Sequence, residues 1–246
     1  MSVDQYDEIG VAYEGFKSLP MIRYSELPSF LGMLDDVVGR SVLDLACGTG
    51  FYTRRIKALG AADVLGVDIS PAMIEAARAI EEQRPAGVRY AVADVAAMTL
   101  PDAPFDLVTA AYLLNYAESG TAMKRMCEGV RSALAPGGEF LTLTQNPDYR
   151  FDGPSTRKYG FLHEFDEQAE AGPRASITAL LEPPVTITAH FPRRDVYESA
   201  LKATGFTDIT WEPVHIAPEG VAALGDAYWD DWRANPTLVL LRCRAA

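Results

Sequence analysis

Through its first 145 residues the chain alternates β-branched apolar runs with stretches of helical periodicity, a pattern that fits a parallel sheet flanked by helices. Residues 41–46, 63–67, 88–92, 105–110 and 139–144 predict five strands, nearly continuous in apolar residues because such strands are buried on both faces. Four helices connect them. The second begins at Ser70-Pro71, a capping residue followed by proline at the first helical position, and turns Met73, Ile74, Ala77 and Ile80 to the core. Pro136-Gly137-Gly138 ends the last helix before strand five.

Upstream, residues 6–16 and 25–38 predict two helices that form an N-terminal helical cap over residues 1–40. Beyond the core, residues 41–146, the alternation breaks. Residues 147–192 are rich in aromatics, Pro and Gly, end in the alternating stretch 185–191, and are expected to form a lid insertion. A helix over 194–204 closed by Gly205, and a strand over 207–212, resume the core. A second aromatic insertion covers 217–234, and a last strand, 237–243, returns antiparallel because no crossover helix separates it from its predecessor. The expectation is one α/β domain over 1–246.

Composition narrows the partners. A formal net charge of −12, with the Lys and Arg dispersed, is the wrong sign for a nucleic-acid surface, so a small molecule is expected as substrate. No run reaches the roughly 20 apolar residues of a membrane span, and the acidic first eight residues do not read as an export signal. Cys47, Cys127 and Cys243 have no paired spacing, which points to a reducing, cytoplasmic setting, and no Asp/Glu/His set has metal-ligand spacing. Oligomeric state is not legible.

The first strand ends in Asp44 and runs through Ala46-Cys47 into Gly48-Thr49-Gly50 and a helix, where backbone amides approach a polar ligand unobstructed by side chains. About 20 residues on, Asp68 ends strand two, where ribose hydroxyls are held, and Asp94 ends strand three, where a carboxylate accepts from an exocyclic adenine amine. NAD is the natural competitor for such a loop. Against it, Thr53 replaces the third glycine of the dinucleotide fingerprint, and Asp44 would repel a pyrophosphate while suiting the amino group of a methionine moiety. The Tyr13-to-Lys17 spacing of a dehydrogenase pair falls upstream of the loop, in the wrong place.

Asp44-Leu45-Ala46-Cys47-Gly48-Thr49-Gly50, Val67-Asp68-Ile69-Ser70, Asp94-Val95, Phe105-Asp106-Leu107-Val108 and Pro136-Gly137-Gly138 resemble, in order and spacing, the motifs of class I methyltransferases over residues 41–145. The resemblance implies a Rossmann-like seven-stranded sheet, mostly parallel with the last strand antiparallel, and S-adenosylmethionine as cofactor with S-adenosylhomocysteine as product. It places Asp44, Ala46, Gly48 and Gly50 at the methionine part, Asp68 and Ile69 at the ribose and adenine, Met73 on the adenine face and Asp94 with Val95 at the adenine edge. Ala110 would shape the pocket floor, and Asn115 joins the cofactor set.

Residues 110–116 follow strand four and face the sulfonium in that scheme. The Asn-Pro-Pro-Tyr type motif of base and glutamine methyltransferases is absent here, and Asn146-Pro147-Asp148-Tyr149 follows strand five instead. Many small-molecule relatives carry two histidines where Asn115-Tyr116 stand. Of His163, His190 and His215, His163 lies among Tyr159, Phe161 and Phe165 and is the candidate base; Tyr13 is the second catalytic candidate. Tyr6, Tyr13, Phe16, Tyr112, Tyr116, Asn146, Tyr149, Tyr228 and Trp229 are the candidate substrate residues, a lining suited to a flat, partly apolar acceptor. Tyr6-Asp7-Glu8-Ile9-Gly10, Asn115-Tyr116-Ala117, Tyr197-Glu198-Ser199-Ala200 and Tyr228-Trp229-Asp230 are similar to the toxoflavin-type bacterial methyltransferases, which implies N-methylation of a planar heterocycle in natural-product chemistry. Two alternatives stand beside it: an O-methyltransferase for a phenol or carboxylate with a histidine base, and a non-catalytic module that only binds S-adenosylmethionine.

Overall fold

The computed structural model describes residues 15–34, 36–97 and 104–246. Among these residues are ten strands: β1 (Ser41–Leu45), β2 (Asp63–Asp68), β3 (Arg89–Val92), β4 (Phe105–Ala111), β5 (Leu134–Gln145), β6 (Phe161–Gln168), β7 (Pro173–Ala179), β8 (Val185–His190), β9 (Phe206–Pro213) and β10 (Leu238–Ala245). Seven of them form one sheet in the order β3-β2-β1-β4-β5-β10-β9. β10 runs antiparallel to both its neighbours, and the other pairings are parallel. The α-helices among the described residues are α1 (Leu27–Gly32), α2 (Phe51–Ala58), α3 (Pro71–Gln83), α4 (Gly120–Ala133), α5 (Arg194–Ala203), α6 (Pro218–Leu224) and α7 (Asp230–Ala234).

Local chemistry explains most boundaries. Ser70 Oγ accepts the Met73 N–H at the start of α3, with Pro71 at the first helical position, and Ser119 caps α4 in the same way through Ala122. Helix α4 ends at Ala133, before Pro136-Gly137-Gly138. Strand β5 begins at once, and the turn is an excursion within it: pairing with β4 jumps from Phe105–Leu134 to Leu107–Glu139, with Gly137 at φ 75°. The expected helix over 25–38 instead starts earlier, as a π-helical turn Ile22–Glu26 that continues into α1 and stops at Gly32. All but the end of the expected helix over 6–16 lies outside the described residues, and Phe16 opens a short 3-10 turn.

Successive side chains of β1 point to opposite faces, which divides the core in two. Val42 packs with Ile56 of α2 and Ile74 and Ala77 of α3, whereas Leu43 and Leu45 pack with Met123, Met126 and Val130 of α4 and Leu201 of α5. The insertion over 147–192 is largely a second sheet, β6-β7-β8, three-stranded and antiparallel. Its Phe161, Ala175, Ile177 and Ala189 join the first of these cores, while Glu164, Phe165, Asp166 and Glu167 face solvent. The lid insertion expected over 147–192 thus contains regular strands of which composition shows only the last: β7 alternates buried and less buried residues, whereas β6 buries little more than its first. No helix among the described residues is long and apolar enough to cross a membrane.

Strand order reverses between β1 and β4, so the connections leaving their carboxyl ends diverge and open a crevice there.

Candidate active site

The crevice is a cleft of about 590 Å³ built from the ends of four adjacent strands. Ala46 and Gly48 come from the β1 loop, Val67, Asp68 and Ile69 from β2, Ala93 and Val95 from β3, and Ala111, Tyr112 and Leu113 from β4; Met73 and Tyr116 complete the wall. Asp68 organises the loop. Its Oδ2 accepts the Gly48 N–H at 2.8 Å and its Oδ1 the Ser70 N–H at 3.0 Å, so one carboxylate ties the glycine loop to the start of α3. Met73, Ile69 and Val95 provide an apolar slot opposite, of the kind that takes a flat base.

Asp44 stands beneath this wall rather than on it. Thr53 Oγ1 donates to its Oδ2 at 2.6 Å and Thr109 Oγ1 to its Oδ1 at 2.8 Å, which locks β1, β4 and the first turn of α2 together. Thr53, the residue that breaks the dinucleotide fingerprint, is thus the partner of the acid that precedes the loop. Burial raises the Asp44 carboxyl to about 6, against the pull of the two hydroxyls, and nearby Asp68 adds to the rise. The folded-state value lies above that of the unfolded chain, so the carboxyl costs nothing below about pH 4. The cost of holding it charged grows as pH rises through 6 and levels off at about 3 kcal/mol. Asp44→Asn removes that cost. Its unfolding free energy relative to wild type is expected to improve by a few kcal/mol between pH 4 and pH 7 in urea melts; parallel pH curves would refute the assignment.

Gly50 also lies off the cleft wall. It holds φ 78°, and a Cβ there would sit 2.2 Å from Tyr90 Oη, which accounts for glycine. Ala110 is fully buried in the sheet, and its neighbour Ala111 lines the cleft instead. Asp94 is exposed, accepts the Ala96 N–H at 2.9 Å and borders an adjoining groove with Ile69 and Tyr116.

Beyond Tyr112 and Tyr116, which belong to both, lies a second cavity of about 520 Å³. Phe16, Met21, Phe161, Ile177, Ile187 and Leu238 give it an apolar lining, into which Lys17, Glu26, Asn115, Gln145 and His163 are set. Asn115, expected at the cofactor, is here instead. Its strand-four connection folds into a 3-10 turn, Leu114–Tyr116, that carries it past the first cleft. Tyr112 has φ 63°, a conformation costly for a residue with a side chain, and its hydroxyl donates to the buried carboxylate of Glu26, as does Tyr52 at 2.5 Å. Burial pushes the Glu26 carboxyl up, opposed by Lys17 and the two tyrosines. Glu26 and Gln145 escape sequence reasoning, since they come from distant elements and sit in no motif, and Lys17 enters it only through the misplaced spacing from Tyr13.

His163 faces this cavity with Nδ1 2.9 Å from Thr156 Oγ1, and burial lowers its basicity to about 3. Tyr6 and Tyr13 lie outside the described residues. Four expected substrate residues stand elsewhere because packing and turn formation use them. Asn146 donates Nδ2 to Pro236 O and accepts the Asp148 N–H, closing a turn. Tyr149 stacks on Phe191 and meets Phe151 and His163 behind the cavity. Tyr228 donates its hydroxyl to Lys158 O, and Trp229 is fully buried against Tyr159. No described residue of 217–234 lines either cavity.

Residues 42–138 match the family described as methyltransferase domain. Among curated proteins, the chain is similar to the ubiquinone/menaquinone biosynthesis C-methyltransferase UbiE of Acidiphilium cryptum, 34% identical over 142 residues. That match takes in 56% of this chain and 56% of the relative, so the chain spans about half the length of that protein. Two solved structures share the fold over nearly the whole chain. An S-adenosylmethionine-dependent methyltransferase from Mesorhizobium loti covers 94% of this chain and all of its own at TM-score 0.65 and 24% identity. The CcbJ methyltransferase from Streptomyces caelestis covers 100% of both at TM-score 0.70 and 20% identity.

Proposed function

We propose that this chain, whose residues 42–138 carry a methyltransferase domain on the class I fold, transfers a methyl group from S-adenosylmethionine to a small planar acceptor at nitrogen. The observation that carries the reading is the pair of cavities that meet at Tyr112 and Tyr116, one walled by the glycine loop and strand-end carboxylate, the other by apolar and aromatic side chains. Asp68 would take the ribose hydroxyls, Met73, Ile69 and Val95 the adenine, and Ala46 and Gly48 the methionine part. The insertion over 147–192 would then wall the acceptor chamber through Phe161, His163, Ile177 and Ile187, while 217–234 supports it from behind.

S-adenosylmethionine supplies a methyl group on a sulfonium, so an acceptor lone pair displaces a neutral thioether as the carbon–sulfur bond breaks. The protein's share is alignment and exclusion of water. Tyr112, held by Glu26, and Tyr116 stand at the junction where the acceptor atom must meet the methyl group. A nitrogen lone pair needs no base. His163 is poorly suited to be one, because an imidazole with its pKa near 3 takes few protons from a phenol.

Incubation with S-adenosylmethionine and parallel panels of nitrogen heterocycles, phenols and aromatic acids, read by mass spectrometry for a methyl-sized gain, tests the reading. Methylation confined to phenols or acids would refute the nitrogen assignment. Tight S-adenosylhomocysteine binding with no turnover in any panel would favour a binding module. For whichever acceptor turns over, His163→Asn is expected to leave the pH dependence of kcat unchanged between pH 6 and 9 and to lower kcat by less than about tenfold. Loss of an acid-side limb from that profile would restore the histidine-base mechanism.

A further inference from the structure

We propose that the second cavity takes an acceptor that presents N–H groups, anchored by the carboxylate of Glu26 and by the side-chain amides of Asn115 and Gln145. The inference rests on the methyl-transfer reading and specifies its substrate class. Glu26 is 0% exposed and is set at the end of the π-helical turn Ile22–Glu26, a rare geometry that often marks a working position in a helix. A carboxylate offers about four lone-pair positions, and the hydroxyls of Tyr52 and Tyr112 take two of them. A tie between two tyrosines does not by itself require a buried charge, since a neutral amide oxygen would accept both hydroxyls without the desolvation cost.

Asn115 and Gln145 supply an independent observation. They are 1% and 3% exposed, line the same cavity as Glu26, and their carbonyl oxygens are buried without a partner among the described residues. Leaving each so costs of order 1–3 kcal/mol, which a bound ligand would recover. A primary amide pairs in two hydrogen bonds with a cyclic lactam edge, taking its N–H and giving to its C=O, and Glu26 accepts a further N–H. An anionic acceptor of the same shape would have to face Glu26. Lys17 is the one cation among the described lining residues, and its Nζ rests over the Phe51 ring at 4.5 Å. The N–H groups that anchor the ligand are separate from the atom methylated at the Tyr112–Tyr116 junction.

Calorimetry on the protein loaded with S-adenosylhomocysteine tests this with two planar bicyclic probes, quinazolinedione, which carries lactam edges, and naphthoate, which carries an anion and no N–H. Quinazolinedione is expected to bind more tightly than naphthoate. E26Q and Q145L should each weaken it by about tenfold or more, and Y52F, which keeps the carboxylate and lies off both cavity walls, by less than about threefold. A purely structural Glu26 would make E26Q and Y52F equivalent. The proposal is overturned if naphthoate binds better, if E26Q and Y52F lose equally, if neither Glu26 nor Gln145 matters to quinazolinedione, or if the loaded protein binds neither probe. Failure to bind S-adenosylhomocysteine at all would instead sink the methyl-transfer reading. Its affinity in each variant also reports whether the fold survived.

Discussion

Replacing Asp68 with Ala is expected to raise the dissociation constant for S-adenosylhomocysteine about a hundredfold while leaving the protein folded. Two losses combine. The carboxylate now holds the Gly48 and Ser70 N–H groups, so its removal frees the glycine loop from the start of α3. In the proposed complex it also accepts from the ribose. Charge-assisted hydrogen bonds are worth about 1.5–3 kcal/mol each, and losing the equivalent of two gives roughly 3 kcal/mol, or about two orders of magnitude. Stability should fall much less, because Asp68 is only half-buried and water can serve the freed amides. Asp68→Asn, which keeps one acceptor oxygen, should lie between. Asp94→Ala should lose about tenfold at most, since that carboxylate is exposed and stands at the edge of an adjoining groove. Calorimetric titration with S-adenosylhomocysteine decides it, and a folded Asp68→Ala protein binding within threefold of wild type would remove Asp68 from the cofactor site.

Asp68 was legible in the sequence because local rules alone place it: an apolar strand must end there, and a capped helix begins two residues later. The same holds for Ala46, Gly48, Ile69, Met73 and Val95, all within a few residues of a strand end and all on the cleft wall. Asp44 shows the limit of that logic. Its position before the loop suits a ligand's amino group, and nothing local reveals that Thr109, 65 residues downstream, donates to one of its oxygens from the adjacent strand. Pairing across the sheet is a tertiary fact that no local pattern carries. The second cavity was the least legible part. It draws on a π-helical turn, a 3-10 turn, the end of β5 and a small sheet whose first strand is mostly exposed, so neither periodicity nor spacing connects Glu26, Asn115, Gln145 and His163.

Aromatic content misled for a related reason: a large ring is as useful for gluing an insertion down as for stacking a substrate. Trp229 separates the two uses. It is 0% exposed, lies parallel to Tyr159 at 5.3 Å, meets Tyr24 and Tyr228 edge-on, and donates Nε1 to Gly220 O at 3.1 Å. Trp229→Ala should therefore cost about 3–5 kcal/mol, a large share of the roughly 5–15 kcal/mol that holds a domain together. At this chain length that corresponds to a fall in Tm of about 10 °C, measurable by calorimetry with no ligand present. Trp229→Phe keeps the stacking partner and should recover about half. A substrate wall predicts the opposite ordering: Tm nearly unchanged, acceptor KM raised, and Phe no better than Ala at restoring stability. Tyr228→Phe supplies the internal comparison, since it removes only the hydroxyl that reaches Lys158 O at a partly exposed edge and should cost less than about 1.5 kcal/mol. If Trp229→Ala melts with wild type, the residues from 217 to 234 are not the brace behind Tyr159 and the small sheet, and their aromatic side chains return to the list of surfaces an acceptor touches.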